Sequence, residues 1–386
     1  MSYYSWDHAC ELPLETECIP ARTDCERWVF AMFDERGNEV YRNDITDRSV
    51  LNKEKHSVPV YPMRFSGNTP VRYCVWPRLD NHVYLDRHDF DVPARFMERY
   101  REVFDRVQGM PIPERTVTCD IFGGLGNQLF QVMTTLVFAR ENDYVPLFDI
   151  GATESRSMVK QKPTYWNTLF AQAVADSGRF RCNFTEQRIW SDPSFTHHPI
   201  PRVSGHLRLW GYFSSFRYFD HQYGHVNALV RSNPRISGEV DAIFDRLSRV
   251  NGLGKRPLVS VHVRRGDSLQ NPTLEKPTAG YYARALASFG EADFLVFSDD
   301  AGWCRSNLGK PSNLHFVEGQ ADYVDLLLMA KCDHHVIANS TFGWWGAYLN
   351  PEPSKRVIYP YPWFAGEKGN RSLVDFIPSG WMSLPP

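Results

Sequence analysis

From Thr116 onward the chain repeats one pattern that few architectures can absorb. A short apolar run, TVTCDIF (116–122), leads into a glycine-rich loop, GGLGNQ (123–128). Helical spacing then covers residues 129–141, and a second apolar run follows over 145–150. A strand, a helix and a strand in that order form a βαβ unit, whose strands lie parallel and need helices on both faces. Apolar runs at 258–264, 293–298, 334–338 and 356–360, with helical stretches between them, extend the alternation. The expected fold is α/β, with one parallel, Rossmann-like sheet in each half and a cleft between them.

A chain of 386 residues is too long for one core. The segment Met110-Pro111-Ile112-Pro113 marks a boundary, because prolines resist helix continuation. Before it, residues 1–112 read as a small α+β domain. A hairpin is expected around Arg27 to Tyr41, strands around Val58 to Phe65 and Val71 to Trp76, and a helix over 94–107. Residues 113–250 and 251–386 then form the two Rossmann-like halves. Charged residues at 23% and a net charge of −2 describe a soluble globular chain with no global attraction to nucleic acid. The N-terminus lacks the basic and apolar regions of a signal peptide, and no apolar run approaches a membrane span. The chain is therefore expected to be cytoplasmic. Its eight cysteines contain no CxxC pair and are expected to be reduced. Aromatics at 14% are expected mainly to fill cores.

Four constellations fall at strand ends, where ligands bind in open α/β sheets. The first is VSVHVRRGD (259–267). Period-two alternation puts Ser260, His262 and Arg264 on one face, and Val259, Val261, Val263 and Arg265 on the other. Gly266 permits a close turn, and Asp267 opens the next loop. A guanidinium here can grip a phosphate with paired donors; an Arg265–Asp267 pair at the strand end is the structural alternative. The second is the loop with Gly124, Gly126 and Asn127. It lacks the third glycine of a dinucleotide fingerprint, and Asn127 could equally cap the helix.

The third is FLVFSDD (294–300), whose Asp299 and Asp300 could accept hydrogen bonds from a guanine edge. Capping by Ser298 or Asp299 is the alternative. The fourth runs from Asp325 to Gly346 and contains Asn339, Ser340 and Thr341 before an aromatic helix, an anion cradle in type. His334 and His335 are adjacent on a strand and point opposite ways, so shared metal ligation is not expected. Asp89-Phe90-Asp91 resembles a metal-binding Asp-x-Asp but precedes a helix, where acids suit the positive helix end. No metal site is expected.

Taken together, GGLGNQLFQ, HLRLWGYFSSFRYF (206–219), HVRRGD, FSDD and DLLLMAKCDHHVIANSTFGWWGAYL resemble glycosyltransferase family 11, the α-1,2-fucosyltransferases. The resemblance covers residues 116 to 365 and leaves 1–112 outside it. It implies a GT-B fold, a GDP-β-L-fucose donor, no metal and no further cofactor, with inverting transfer to O2 of a galactose or similar sugar in a glycan acceptor. By matching position, Arg264 would bind the donor β-phosphate, with His262 near the nucleotide. Asn127 would reach the reaction centre, Asp299 or Asp300 would read guanine, and Ser340 and Thr341 would hold phosphate. Asp267 is the nearest candidate base. Ser268 stands where many relatives carry tyrosine. Three rival readings stand beside it: transfer of another GDP-linked sugar, a non-catalytic glycan- or nucleotide-binding protein, and a dinucleotide-dependent oxidoreductase. The missing third glycine and the arginines of the second half disfavour the last.

Overall fold

The computed structural model describes residues 10–13, 28–33, 35–36, 39–45, 57–60, 72–77, 90–94, 96–98, 114–148, 154–155, 162–175, 178–179, 187–193, 195–309, 312–366, 369 and 371–386. Contacts divide the chain into two compact units. One comprises residues 1–113 and 179–185, the other 114–178 and 186–386. Asp89 and most of the expected helix over 94–107 lie outside the described residues.

In the first unit, β1 (Cys10–Pro13) pairs antiparallel with β4 (Ser57–Val60). A second sheet has the order β3-β2-β5-β6, from β2 (Trp28–Phe33), β3 (Glu39–Ile45), β5 (Arg72–Pro77) and β6 (Phe90–Asp91). The β2–β3 pair is the hairpin that the glycine-containing turn predicts. Asp91 ends a strand here, and the N–H groups of Phe96 and Met97 bond to the Pro93 carbonyl as a helical turn begins.

The second unit holds two parallel sheets. The first uses β7 (Thr116–Cys119), β8 (Val145–Phe148), β12 (Gln187–Ser191) and β13 (His206–Trp210), parallel in the order β8-β7-β13-β12, with the two-residue β11 (Gly178–Arg179), where the division between the units falls, next to β8. Between β8 and β11 lies a two-residue ladder, β9 (Glu154–Ser155) with β10 (Lys162–Pro163). Helix α1 (Leu125–Asn142) connects β7 to β8 and starts four residues earlier than the apolar spacing predicts. Leu125 and Gly126 belong to its first turn. Helices α2 (Tyr223–Val230) and α3 (Pro234–Asn251) lead to the second sheet.

That sheet runs β14 (Leu258–Val263), β15 (Asp293–Ser298), β16 (Leu314–Val317), β17 (His334–Val336), β18 (Val357–Pro360) and β19 (Met382–Leu384). Helices α4 (Ala279–Ala287), α5 (Ala301–Asn307), α6 (Asp322–Met329) and α7 (Thr341–Tyr348) intervene. The spatial order is β16-β15-β14-β17-β18-β19, all parallel. Counted from β14, this is 3-2-1-4-5-6, the doubly wound order of dinucleotide-binding sheets. The direction of winding reverses between β14 and β17, where the carboxyl ends of the strands leave a crevice.

Both sheets draw on one continuous apolar core that runs from Val117 through Phe130, Phe219 and Trp344 to Ile377. The Phe130 ring lies 4.7 Å from Trp344 and 5.1 Å from Trp345, and Phe219 stacks on Trp345 at 5.2 Å. The aromatic α7 is therefore a core helix, as composition favoured. The Trp344 indole N–H is satisfied by the Phe376 carbonyl at 2.8 Å. Every residue of β14 is buried, so its two faces are both covered. Val259, Val261 and Val263 pack with Tyr281 and Tyr282, as alternation requires.

Candidate functional site

The chain of β14 leaves the sheet at the reversal point and carries Arg264 out with it. Its guanidinium donates to Asp267 and pairs with Asp299 through Nη1 at 2.8 Å. Asp267 also receives Lys162 at 3.0 Å. Arg265 turns the other way: its Nε donates to Asp300 at 3.2 Å and its guanidinium lies 4.2 Å over the Trp303 ring. The strand-end pairs are thus Arg264–Asp267 and Arg265–Asp300; the alternative Arg265–Asp267 pair does not form. Arg264 is held like a bracket between two carboxylates, with its side chain partly exposed.

Asp299 and Asp300 share out the bonds at the end of β15. Asp299 accepts the Arg265 backbone N–H at 2.8 Å as well as the Arg264 contact. Asp300 is the cap of α5, accepting the Trp303 N–H at 2.9 Å, while Ser298 accepts the Asp300 N–H. The cap is therefore Asp300, not Ser298 or Asp299. Each carboxylate oxygen of this pair already has a protein donor.

At the end of β17 the cradle residues part company. Ser340 is the N-cap of α7 and accepts the Phe342 N–H. Thr341 donates to the Asn127 Oδ1 at 2.8 Å. Asn339 is buried, and its amide hydrogens go to the carbonyls of Glu275 and Trp363 at 2.5 and 3.0 Å. Those bonds make Asn339 a tie between loops, which removes the expected phosphate contact from its donors.

The glycine loop also divides its roles. Gly124 is the N-cap of α1 and makes no side-chain cap bond, so Asn127 is not the cap. Asn127 instead reaches α7 through Thr341. A methyl group on Gly126 would sit 2.5–2.7 Å from backbone atoms of Thr341 and Phe342, whereas one on Gly124 would meet nothing within 4 Å. Gly126 is therefore the point where the first turns of α1 and α7 touch backbone to backbone, and it is not a ligand cradle.

His262 is buried beside Phe342, ring centroids 5.4 Å apart, and its Nδ1 is enclosed without a hydrogen-bond partner. Burial, reinforced by the charge of Arg264, pushes its pKa down to about 3, so the ring is neutral. Burial alone would push the Asp267 carboxyl up. The Lys162 hydrogen bond and the Arg264 charge outweigh it and hold Asp267 below its ordinary value. A carboxylate so held is a weak base. His335 takes no part: it bonds Ser260 at 2.7 Å and Asn350 at 2.9 Å, while His334 stacks on Phe289. Among the described residues no group of three or more His, Cys, Asp or Glu could hold a metal ion. No described helix is long and apolar enough to cross a membrane.

Lys162 gave no signal in the sequence. It lies 105 residues from Asp267 and arrives on a segment fixed by Gln128, whose amide donates to the carbonyls of Gly123 and Pro163 at 2.9 and 2.8 Å. Further along that segment, the Tyr165 hydroxyl donates to Asp322 on α6. One turn on, burial and then the Asp322 charge push the Asp325 carboxyl up to about 7. Folding thus retains a proton between about pH 4 and 7 that the unfolded chain has lost, and stability falls as pH rises through that window. Asp325→Asn should gain on the parent from pH 4 to 7 and then hold a constant advantage of order a few kcal/mol. Thermal midpoints of both proteins from pH 4 to 8 check this; a difference independent of pH would refute the buried charge.

Against this geometry, residues 183–368 match the family model described as Glycosyl transferase family 11. An alpha-1,2-colitosyltransferase of Escherichia coli is 36% identical over 196 residues, covering 47% of this chain and 64% of the relative. Galactoside alpha-(1,2)-fucosyltransferase 2 of Oryctolagus cuniculus is 28% identical over 247 residues, covering 60% and 66%. The chain thus spans less than two thirds of the length of either relative. The solved structure of fucosyltransferase NodZ from Bradyrhizobium overlaps 61% of this chain and 93% of its own at 13% identity, with a TM-score of 0.40, too loose a likeness to carry an argument. The matched residues 183–368 include Arg264, the Asp299–Asp300 pair and α7, so the similarity to glycosyl transferase family 11 falls on this site.

Proposed function

We propose that this chain transfers L-fucose from GDP-β-L-fucose to a hydroxyl of a galactoside glycan, with inversion and without a metal ion, on a GT-B arrangement of its two parallel sheets. The observation that carries this reading is Arg264, fixed between Asp267 and Asp299 at the winding reversal of a doubly wound sheet. A nucleotide diphosphate seated there would meet a pre-oriented guanidinium and the N-terminus of α7.

In this mechanism the acceptor oxygen bonds to C1 of the sugar as the C1–oxygen bond to the β-phosphate breaks. Negative charge grows on the departing GDP, and Arg264 is assigned to stabilise it. Ser340 and Thr341 line the same end of the sheet, and neutral, buried His262 adds no charge beneath it. Asp267, held low by Lys162 and Arg264, serves chiefly to position Arg264. The acceptor proton then passes late to solvent water, from a loosely bonded transition state that needs little help from a protein base. Asn127, tied to Thr341, is assigned to the reacting sugar's side of the site.

The relatives differ in the sugar they transfer, colitosyl against fucosyl. Transfer of another GDP-linked deoxysugar is accordingly the second reading. Calorimetric titration in EDTA with GDP-fucose, GDP-mannose, UDP-galactose and NAD tests both. GDP and GDP-fucose are expected to bind, and the GDP-linked sugars rank the donors. Binding of NAD or UDP-galactose with no response to any guanine nucleotide would overturn the donor assignment.

A further inference from the structure

The first sheet has its own winding reversal, and nothing in the donor reading uses it. Its order β11-β8-β7-β13-β12 turns between β7 and β13. A ligand crevice is therefore expected where those two strands end, at residues 120–124 and 210–214. Those loops carry Phe122, Trp210 and Tyr212. Trp210 is 49% exposed and Tyr212 39%, in a unit whose other tryptophans are buried or half-buried. Phe122 touches Trp210 and Tyr212 edge-on, at centroid distances of 5.6 and 6.1 Å, so neither pair closes face on face.

The loops are also locked. Buried Gln131 accepts the Phe122 N–H at 3.0 Å and donates to the Gly211 carbonyl at 3.0 Å, clamping both loops to α1. Asp192 accepts the Phe213 N–H at 2.8 Å and the Tyr218 hydroxyl at 3.0 Å. Gly211 at φ +139° presses on Asp192 where no side chain would fit, and Phe213 sits at φ +52°. Strained backbone, over-determined by buried hydrogen bonds, fixes two exposed rings in place, an arrangement typical of binding loops. Beside them Arg208 holds Asp120 in a two-pronged pair at 2.8 and 2.7 Å, which supplies a polar edge.

We infer that Phe122, Trp210 and Tyr212 form the stacking platform for the acceptor sugar, a β-galactoside ring, and this inference rests on the transferase reading above. A pyranose with an axial O4 presents the hydrogens of C3, C4 and C5 on one face, a small apolar patch that an aromatic ring can cover. Three rings are too few for a stable protein interface, which needs about 1,000 Å². They match one or two sugar residues. The glycine loop leading to Asn127 begins immediately after Phe122, so the platform lies on the element that carries Asn127 to Thr341.

Lactose is the probe, used with the whole chain. Trp210→Ala and Tyr212→Ala should each raise the lactose KM about ten-fold, with GDP affinity and the GDP-fucose KM unchanged, and Trp210→Phe should recover most of the loss. Saturation-transfer NMR with lactose, with and without GDP, should show contact to the galactose ring in the parent and none in the double variant Trp210→Ala/Tyr212→Ala. An unchanged lactose KM and undiminished saturation transfer in the alanine variants would overturn the platform, as would a parent that binds GDP-fucose but shows no lactose contact. If the parent contacts lactose through these residues but binds no guanine nucleotide, the platform stands and the donor reading fails.

Discussion

Replacing Arg264 with alanine is expected to lower the rate of sugar transfer about 100- to 1,000-fold, the usual cost of about 2.7–4 kcal/mol for removing one fixed stabiliser of transition-state charge. The fold should survive. Asp299 retains the Arg265 backbone N–H at 2.8 Å, Asp267 retains Lys162 at 3.0 Å, and the guanidinium is partly exposed rather than part of the core. Arg264→Lys should fall between the two, because an ammonium keeps the charge but cannot span both carboxylates as a planar fork. Single-turnover transfer rates, with circular dichroism to confirm folding, check this. Near-parental transfer by the alanine variant would remove Arg264 from the phosphate.

Gly126→Ala should damage both stability and turnover, whereas Gly124→Ala, two residues away, should be close to neutral. At Gly126, inside the first turn, alanine's helix propensity favours the change by up to roughly 1 kcal/mol, whereas at the N-cap Gly124 it gives no such gain. At Gly126 the new methyl lies 2.5–2.7 Å from the backbone of Thr341 and Phe342, and backbone cannot rotate aside. Overpacking of that kind costs about 1–3 kcal/mol, and relief requires α1 and α7 to separate. Separation stretches the 2.8 Å bond from Thr341 to Asn127, so transfer should fall more than ten-fold alongside the loss in stability. At Gly124 the methyl meets open space, with an ordinary backbone φ of −80°. Thermal melts and rates for both variants check the contrast. Equal behaviour of the two would mean that the contact between the helix starts is not tight.

Much of the second unit could be read from the chain. The apolar runs at 258–264 and 293–298 became β14 and β15 within one residue, because a strand buried on both faces needs an unbroken apolar run. The start of α1 was misplaced, since Gly124, Leu125 and Gly126 carry no periodic signal of a helix, and only packing against α7 draws them into its first turn. Asp300 rather than Asp299 became the cap for a similar reason. Two adjacent carboxylates are indistinguishable in sequence until Arg264 and the Arg265 N–H claim one of them.

By itself, the sequence determined the parallel α/β class, the strand ends at which Arg264, Asp299 and Thr341 would stand, and the opposite directions of His334 and His335 on their strand. All of these follow from local period and from the charge that closes an apolar run. Only the tertiary structure decided which residues meet. It brought Lys162 to Asp267 across 105 residues, tied Asn127 to Thr341 across 214, and gave Gly126 a packing duty in place of a binding one. Such pairings are set by strand order and by where two helix starts can touch, and neither leaves a periodic trace along the chain.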